Sequence, residues 1–227
     1  MGTITILPET TKNPITLIGE RAGICWGADI TDAEKNYKRG MDCITSDHGR
    51  TLEFVMIDML IDGYSARVIR EYMRHVGGGL SVLQASTRYI DYKEFECVKP
   101  DSIANNHRAS IEFDTALASI RVALKEMENK GIPREDAAML LPLGMTTRLV
   151  DHKNLRNLVD MSRTRMCNRA YWEFRELFRD MLTALENYSR EWCQVVELTM
   201  YPKCKERRIC PEKHGCGMYP QEAKHDV

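Results

Sequence analysis

Apolar residues at helical spacing constrain this chain more than any other feature. Across residues 172–196, Phe174, Leu177, Phe178, Met181, Leu185, Tyr188 and Trp192 recur every three or four positions. That period places them on one face of a long helix. Residues 102–130 repeat the pattern with Ile111, Phe113, Ala116, Leu117, Ile120, Val122, Leu124 and Met127. The run TLEFVMIDMLI at 51–61 is apolar on both alternating faces. It fits a buried strand, though a buried helix has the same signature. An α+β fold follows, with a mixed sheet and long helices.

Shorter signals divide the rest of the chain. Residues 15–26 read as a strand followed by a helical turn, and residues 32–45 as a polar-faced helix. Gly63 should break the apolar run. Ser65 is suited to N-cap a helix to residue 76, with Val68, Ile69, Tyr72 and Met73 on one stripe. The run Gly77-Gly78-Gly79 should end that helix and open a loop. Pro133 starts a short helix through 141, LPLGMTTRLVDH is extended, and a helix begins near 153. After Tyr201-Pro202 the composition turns charged and rich in Cys, Gly and Pro. The expected organisation is a domain over 1–200 with a Cys-rich tail over 201–227.

The 227 residues suffice for one sizeable domain. A formal net charge of −1 creates no global field for a polyanion, so no nucleic-acid partner is expected. An anionic ligand must then be held by local arginines. The start, MGTITILPETTKNP, lacks a basic region followed by an apolar run, and no stretch has the roughly 18 apolar residues of a membrane span. A cytoplasmic protein without a membrane partner is expected. Its eight cysteines should then be reduced thiols or metal ligands.

Two constellations carry chemistry. In EYMRHVGGGLSVLQASTRY, from Glu71, Arg74 and His75 run into a glycine-rich turn, and Arg88 follows beside Ser86 and Thr87. Glycines allow close backbone approach, and guanidinium forks with hydroxyls bind phosphate. The same residues also suit a plain polar loop. In NLRNLVDMSRTR, Asn154 and Arg165 return to nearly one helix face about 16 Å apart. That stripe could meet two polar groups of a large ligand, or be ordinary amphipathic helix.

Both segments resemble the signatures of the flavin-dependent thymidylate synthases, the ThyX family. Arg74 and His75 match the first two residues of its RHR motif, and Ser86, Arg88 and Tyr89 match the end of its ExSxRY element. Gln84 stands where the family usually has Glu. Downstream, Leu141-Pro142-Leu143, Asn154, Arg156, Arg165 and Trp172-Glu173 align without a gap. Upstream, His48 and Glu53 match a His-x-Ser/Thr-x-x-Glu-His element, with Phe54 at its last position. The departures are Val76 for the third signature residue, the glycine insert, Leu83, and Ala138 in place of a nucleotide-binding arginine that Arg134 could replace.

The resemblance implies an enzyme that methylates dUMP with FAD, methylenetetrahydrofolate and NADPH. It further implies a homotetramer with active sites at subunit interfaces. It implies that His48, Glu53, Arg74, His75, Val76, Asn154, Arg156 and Asp160 border FAD. Glu71, Arg74, Gln84, Ser86, Arg88 and Arg165 would hold dUMP, with Arg165 the catalytic group polarising the uracil. Cys167, the rival nucleophile, is read as a packing residue. The departures keep two rivals open: a paralogue alkylating or hydroxymethylating another pyrimidine nucleotide, and a non-catalytic nucleotide- or nucleic-acid-binding protein. In the tail, Cys204, Cys210, His214 and Cys216 make a sufficient set for structural zinc, and an iron–sulfur cluster is also chemically open. Free thiols are the bland alternative.

Overall fold

Ten α-helices and four strands make up residues 2–75 and 81–221, which the computed structural model describes. Val76 and the Gly77-Gly78-Gly79 run lie outside the described residues. In chain order the elements are β1 (Thr3–Ile6), α1 (Pro14–Cys25), α2 (Ala33–Thr45), β2 (Met56–Ser65), α3 (Ala66–Tyr72), β3 (Ser81–Gln84), α4 (Asp101–Ala104), α5 (His107–Asn129), α6 (Arg134–Ala137), β4 (Thr146–Asn154), α7 (Leu155–Arg165), α8 (Trp172–Tyr188), α9 (Arg190–Thr199) and α10 (Lys203–Arg207). The strand order is β1-β2-β4-β3.

Side-chain caps fix where helices begin. Asp32 accepts from the backbone N–H groups of Glu34 and Lys35 to start α2. Ser65 Oγ accepts from Val68 N at 3.1 Å to start α3, as its sequence position predicts. Each such cap contributes about 1 kcal/mol.

Caps also correct the sequence reading, because both long helices break at one. Residues 102–130 divide into α4 and α5 at Asn106, which accepts from Ala109 N. Residues 172–196 divide into α8 and α9 at Ser189. Its backbone is extended, and its hydroxyl accepts from Trp192 N and donates to the Lys12 carbonyl. The expected strand at residue 15 is instead helix α1, which begins on Pro14. Gly63, with φ of 77°, does not end β2, which continues to Ser65. The 51–61 run is a 3-10 turn at Gly49–Phe54 followed by β2.

The chain forms two compact units: Met1–Thr3, Ile61–Tyr72 and Leu83–Leu149 in the first, and Ile4–Leu60, Met73–Val82 and Val150–Val227 in the second. The first unit buries Phe95, Leu117, Leu124, Ala137 and Met145, with Phe113, Ile120 and Met127 of α5 packed against them. Within it Ala66 N donates to the Met145 carbonyl, and Arg148 pairs with Asp62 across β4 and β2.

In the second unit α1 and α2 cross at glycines. A Cβ on Gly19 would stand 1.8 Å from the Asn36 carbonyl oxygen, and one on Gly40 1.9 Å from that of Ile15. Only glycine permits that approach. Phe174, Leu177, Phe178, Met181 and Leu185 bury the inner face of α8. Trp192 is fully buried and donates from its indole N–H to the Thr11 carbonyl at 2.7 Å.

Candidate active site

The first constellation begins at the end of α3, whose last helical residue is Tyr72, and Arg74 and His75 follow it. His75 is half-buried, and its Nε2 accepts a hydrogen bond from Arg165 Nε at 2.8 Å. The Arg165 guanidinium also lies over the Phe174 ring, 4.4 Å from its centroid. His75 meets the same ring edge-on at 5.9 Å. A guanidinium over an aromatic face gains cation–π attraction while its N–H groups can still donate.

His75 can accept from Arg165 only as neutral imidazole. Its pKa is lowered to about 4, first by burial and then by the charges of Arg165, Lys153 and Arg74. The structure thus joins Arg74, His75 and Arg165, three residues matched on sequence, through electrostatics and contact.

A fourth member was not foreseen. Lys153 is fully buried in β4 and pairs with Asp151 at 3.0 Å. Its Nζ also reaches Met161 Sδ at 3.5 Å. Burial lowers the Lys153 pKa while Asp151 opposes the shift. The signal was present: Thr147, Leu149, Asp151 and Lys153 alternate along β4, and all four are buried.

The flavin-matched residues of the second unit sit at the start of α7 and on the facing turn. Asn154 is the buried N-cap of α7, where its Oδ1 accepts from Asn157 N at 2.9 Å. Arg156 pairs with Asp160 at 3.3 Å. Gly49 lies against Arg156; a Cβ there would stand 1.8 Å from Nη1. His48, beside it, lines a cavity of about 330 Å³ with Leu52, Val159, Arg163 and Tyr201. Glu53 faces Arg50 at 3.9 Å and is exposed.

The phosphate-matched residues fall in the first unit. Ser86 Oγ accepts from Arg88 N at 3.2 Å, which closes a tight turn. The Arg88 guanidinium is 65% exposed and bonds Glu135 at 2.8 Å. Gln84 donates to Thr147 Oγ1 at 3.3 Å. Glu71 is half-buried on α3. Arg134, the suggested substitute for a missing arginine, donates to the Tyr89 carbonyl at 3.3 Å.

In the tail the thiols gather differently from the expected set. A cavity of about 320 Å³ is lined by Cys167, Cys204 and Cys210 together with Arg165. Burial first, and then the Cys167, Cys210 and Cys216 thiols, push the Cys204 thiol up. His214 is exposed, and its carbonyl accepts from Arg169. Among the described residues no three His, Cys, Asp or Glu side chains stand close enough to hold a single ion. The set Cys204, Cys210, His214 and Cys216 is thus not drawn together about one point, and Cys167 lines the same cavity as Cys204 and Cys210.

Comparisons with known proteins bear on this geometry. The family model described as thymidylate synthase complementing protein matches residues 6–188. A flavin-dependent thymidylate synthase of Nitratidesulfovibrio vulgaris is 30% identical over 78% of this chain and 74% of its own length. The chain belongs to the flavin-dependent thymidylate synthases. A second family member, from Pyrococcus furiosus, is 29% identical over 91% of this chain and 88% of its own length. The solved ThyX structure of Helicobacter pylori, complexed with FAD and dUMP, shares the fold: TM-score 0.67, 20% identity, 85% of this chain and 99% of that chain covered. Membership in this enzyme family favours the thymidylate synthase reading over both rivals. The matched region ends at 188, so the family model does not include the Cys-rich tail.

Proposed function

We propose that this chain converts dUMP to dTMP by reductive methylation, with methylenetetrahydrofolate as carbon donor and NADPH as reductant. The observation that carries the reading is the fixed guanidinium of Arg165, stacked on Phe174 and bonded to neutral His75. Carbon 5 of the uracil ring is a poor nucleophile, and negative charge must be stabilised on the pyrimidine as it reacts. Arg165 presents a preoriented cation to that charge, which avoids reorganisation during the reaction. His75 is the positioning residue behind it. Kept neutral, it accepts from Arg165 and adds no competing charge.

The donor set fits FAD. Arg74, Arg156 and His48 supply donors suited to a diphosphate, and the missing side chain at Gly49 lets the Arg156 guanidinium lie against the His48 turn. Glu53, Asn154 and Asp160 flank the same elements, and Val76 follows His75 in sequence. FAD, when bound, supplies hydride chemistry that no side chain here offers. Ser86 and Arg88 are assigned to the nucleotide phosphate, with Gln84 and Glu71 as further polar contacts and Arg74 shared by both ligands.

A homotetramer with interfacial active sites accords with the large apolar side chains left exposed, among them Trp26, Phe54, Leu83, Tyr89 and Met139. Among the described residues no helix is long and apolar enough to cross a membrane, and we place the enzyme in the cytoplasm. We keep the division into a catalytic region over 1–200 and a tail over 201–227 as a functional proposal, distinct from the two compact units. The test is turnover of dUMP against dCMP with methylenetetrahydrofolate and NADPH, alongside the absorption spectrum. A yellow protein that methylates dUMP supports the reading. A colourless protein, or one that prefers dCMP, overturns it.

A further inference from the structure

The tail carries a site that the methylation chemistry does not use. Cys204 begins near the start of α10, and Cys210 and Cys216 follow at two equal intervals of six residues. Cys167 lies far upstream, two residues after Arg165. The fold closes this gap in sequence: Cys167, Cys204 and Cys210 line one cavity of about 320 Å³. Cys216 is brought to the same place through the neighbour of Cys167, because Asn168 Nδ2 donates to Cys216 Sγ at 3.7 Å. Cys210 Sγ lies 3.4 Å from where a Cβ on Gly215, the residue before Cys216, would stand. The tail is pinned in this shape by Cys210 N donating to the Pro220 carbonyl at 2.7 Å, and by Arg169 donating to the His214 carbonyl.

Three free thiols lining one cavity, with a fourth held beside it by Asn168, are a soft-metal ligand set. A tetrahedral zinc, with Zn–S near 2.3 Å, would hold its sulfurs about 3.8 Å apart. Among the described residues no three donors approach that closely about one point. An iron–sulfur cluster is bound at its iron corners and therefore holds its four thiolates further apart around a wider space. The surroundings also suit an anionic cluster: Arg163, Arg165, Arg169, Lys203 and Arg207 line the same cavity against a single acid, Glu212. Asn168 supplies a sulfur hydrogen bond of the kind that tunes such centres.

We propose that Cys167, Cys204, Cys210 and Cys216 bind a four-iron iron–sulfur cluster that fastens the tail beside Arg165. The four thiols release their protons as they ligate two ferrous and two ferric ions bridged by four sulfides, so no oxidation state changes during assembly. The claim is independent of the thymidylate synthase reading, since metal content does not require turnover.

The test uses the full chain purified without oxygen, then reconstituted with equal amounts of ferrous and ferric iron and with sulfide. About four irons and about four acid-labile sulfides per chain are expected. The loaded protein should protect these four cysteines from alkylation while exposed Cys25 and Cys193 react. His214→Ala should keep the cluster, whereas Cys167→Ser and Cys216→Ser should each lose iron and sulfide. One zinc per chain without sulfide would overturn the cluster. Full alkylation of all eight cysteines after reconstitution, a disulfide among the four, or an intact cluster in Cys167→Ser would overturn it equally. Because the alkylation pattern and metal content are read on the wild-type chain, a variant that fails to fold leaves the test intact.

Discussion

Arg165, proposed to meet the uracil, and Arg88, proposed to meet the phosphate, are held by the protein in opposite ways. Arg165 is half-buried, lies over Phe174 and is tied to His75. Arg88 is mostly exposed and rests on Glu135, a surface acid that is itself 55% exposed. An exposed pair of this kind is worth at most about 1 kcal/mol, so a phosphate can replace Glu135 cheaply. The contrast separates two tasks. A group that stabilises charge during reaction must be in place beforehand. A group that captures substrate can exchange one anion for another.

The buried side of this comparison should break hardest. Lys153 and Asp151 lie fully buried in the strand leading to Asn154, and Lys153 contributes to the field around His75. Lys153→Met would leave the Asp151 carboxylate buried without its cation, and a destabilisation of about 3–5 kcal/mol is expected. Urea unfolding measures it. Replacing both, as Lys153→Met with Asp151→Leu, should recover most of the loss, because a well-packed apolar pair avoids the desolvation of both charges. A double variant as weak as the single one would show that the pair has a role beyond charge balance.

Arg165→Ala comes next. Removing a preorganised donor costs about 10²–10³ in turnover, and bound flavin should remain, since Arg74, Arg156 and His48 are untouched. Single-turnover kinetics together with flavin absorbance separate these effects. Wild-type turnover would remove the role given to Arg165.

Arg88→Ala should act on affinity, weakening dUMP by about 1.5–3 kcal/mol, the range for a hydrogen bond to a charged group. Titration calorimetry reads it directly. Unaltered affinity would detach Arg88 from the phosphate, and a fall in turnover at saturating dUMP would erase the contrast with Arg165.

How much of this was legible beforehand follows the same division. Caps and stripes act locally, so Asp32 and Ser65 announced their helices, and Leu177, Phe178 and Met181 their buried face. The breaks at Asn106 and Ser189 were missed because an apolar stripe continues across a cap, and only the cap's own hydrogen bonds mark the interruption. Helix α1 was misread because its glycines have weak helix propensity, and its support comes from packing on α2. At the site, Arg74, His75 and Arg165 were found by motif, but the bond between His75 and Arg165 joins residues 90 positions apart. Asp151 and Lys153 were passed over because charged residues in a strand are ordinarily read as its wet face. Their alternation with Thr147 and Leu149 was the available clue.

The smallest effect expected concerns the proton on His75. In the unfolded chain this imidazole titrates near ~6.5, while in the folded protein burial and the neighbouring cations lower it to about 4. Between those values the unfolded chain binds the proton and the folded one does not, so stability falls as pH drops from 6.5 toward 4 and is regained as pH rises. His75→Gln keeps a carbonyl acceptor for Arg165 but has nothing to titrate. The melting temperatures of wild type and variant should therefore run parallel above pH 7 and converge or cross as the pH falls toward 4. Turnover should behave likewise, because a protonated His75 can no longer accept from Arg165 Nε. Parallel curves through the whole window would mean that His75 is neutral for no functional reason. The preset side of the comparison would then rest on Phe174 alone.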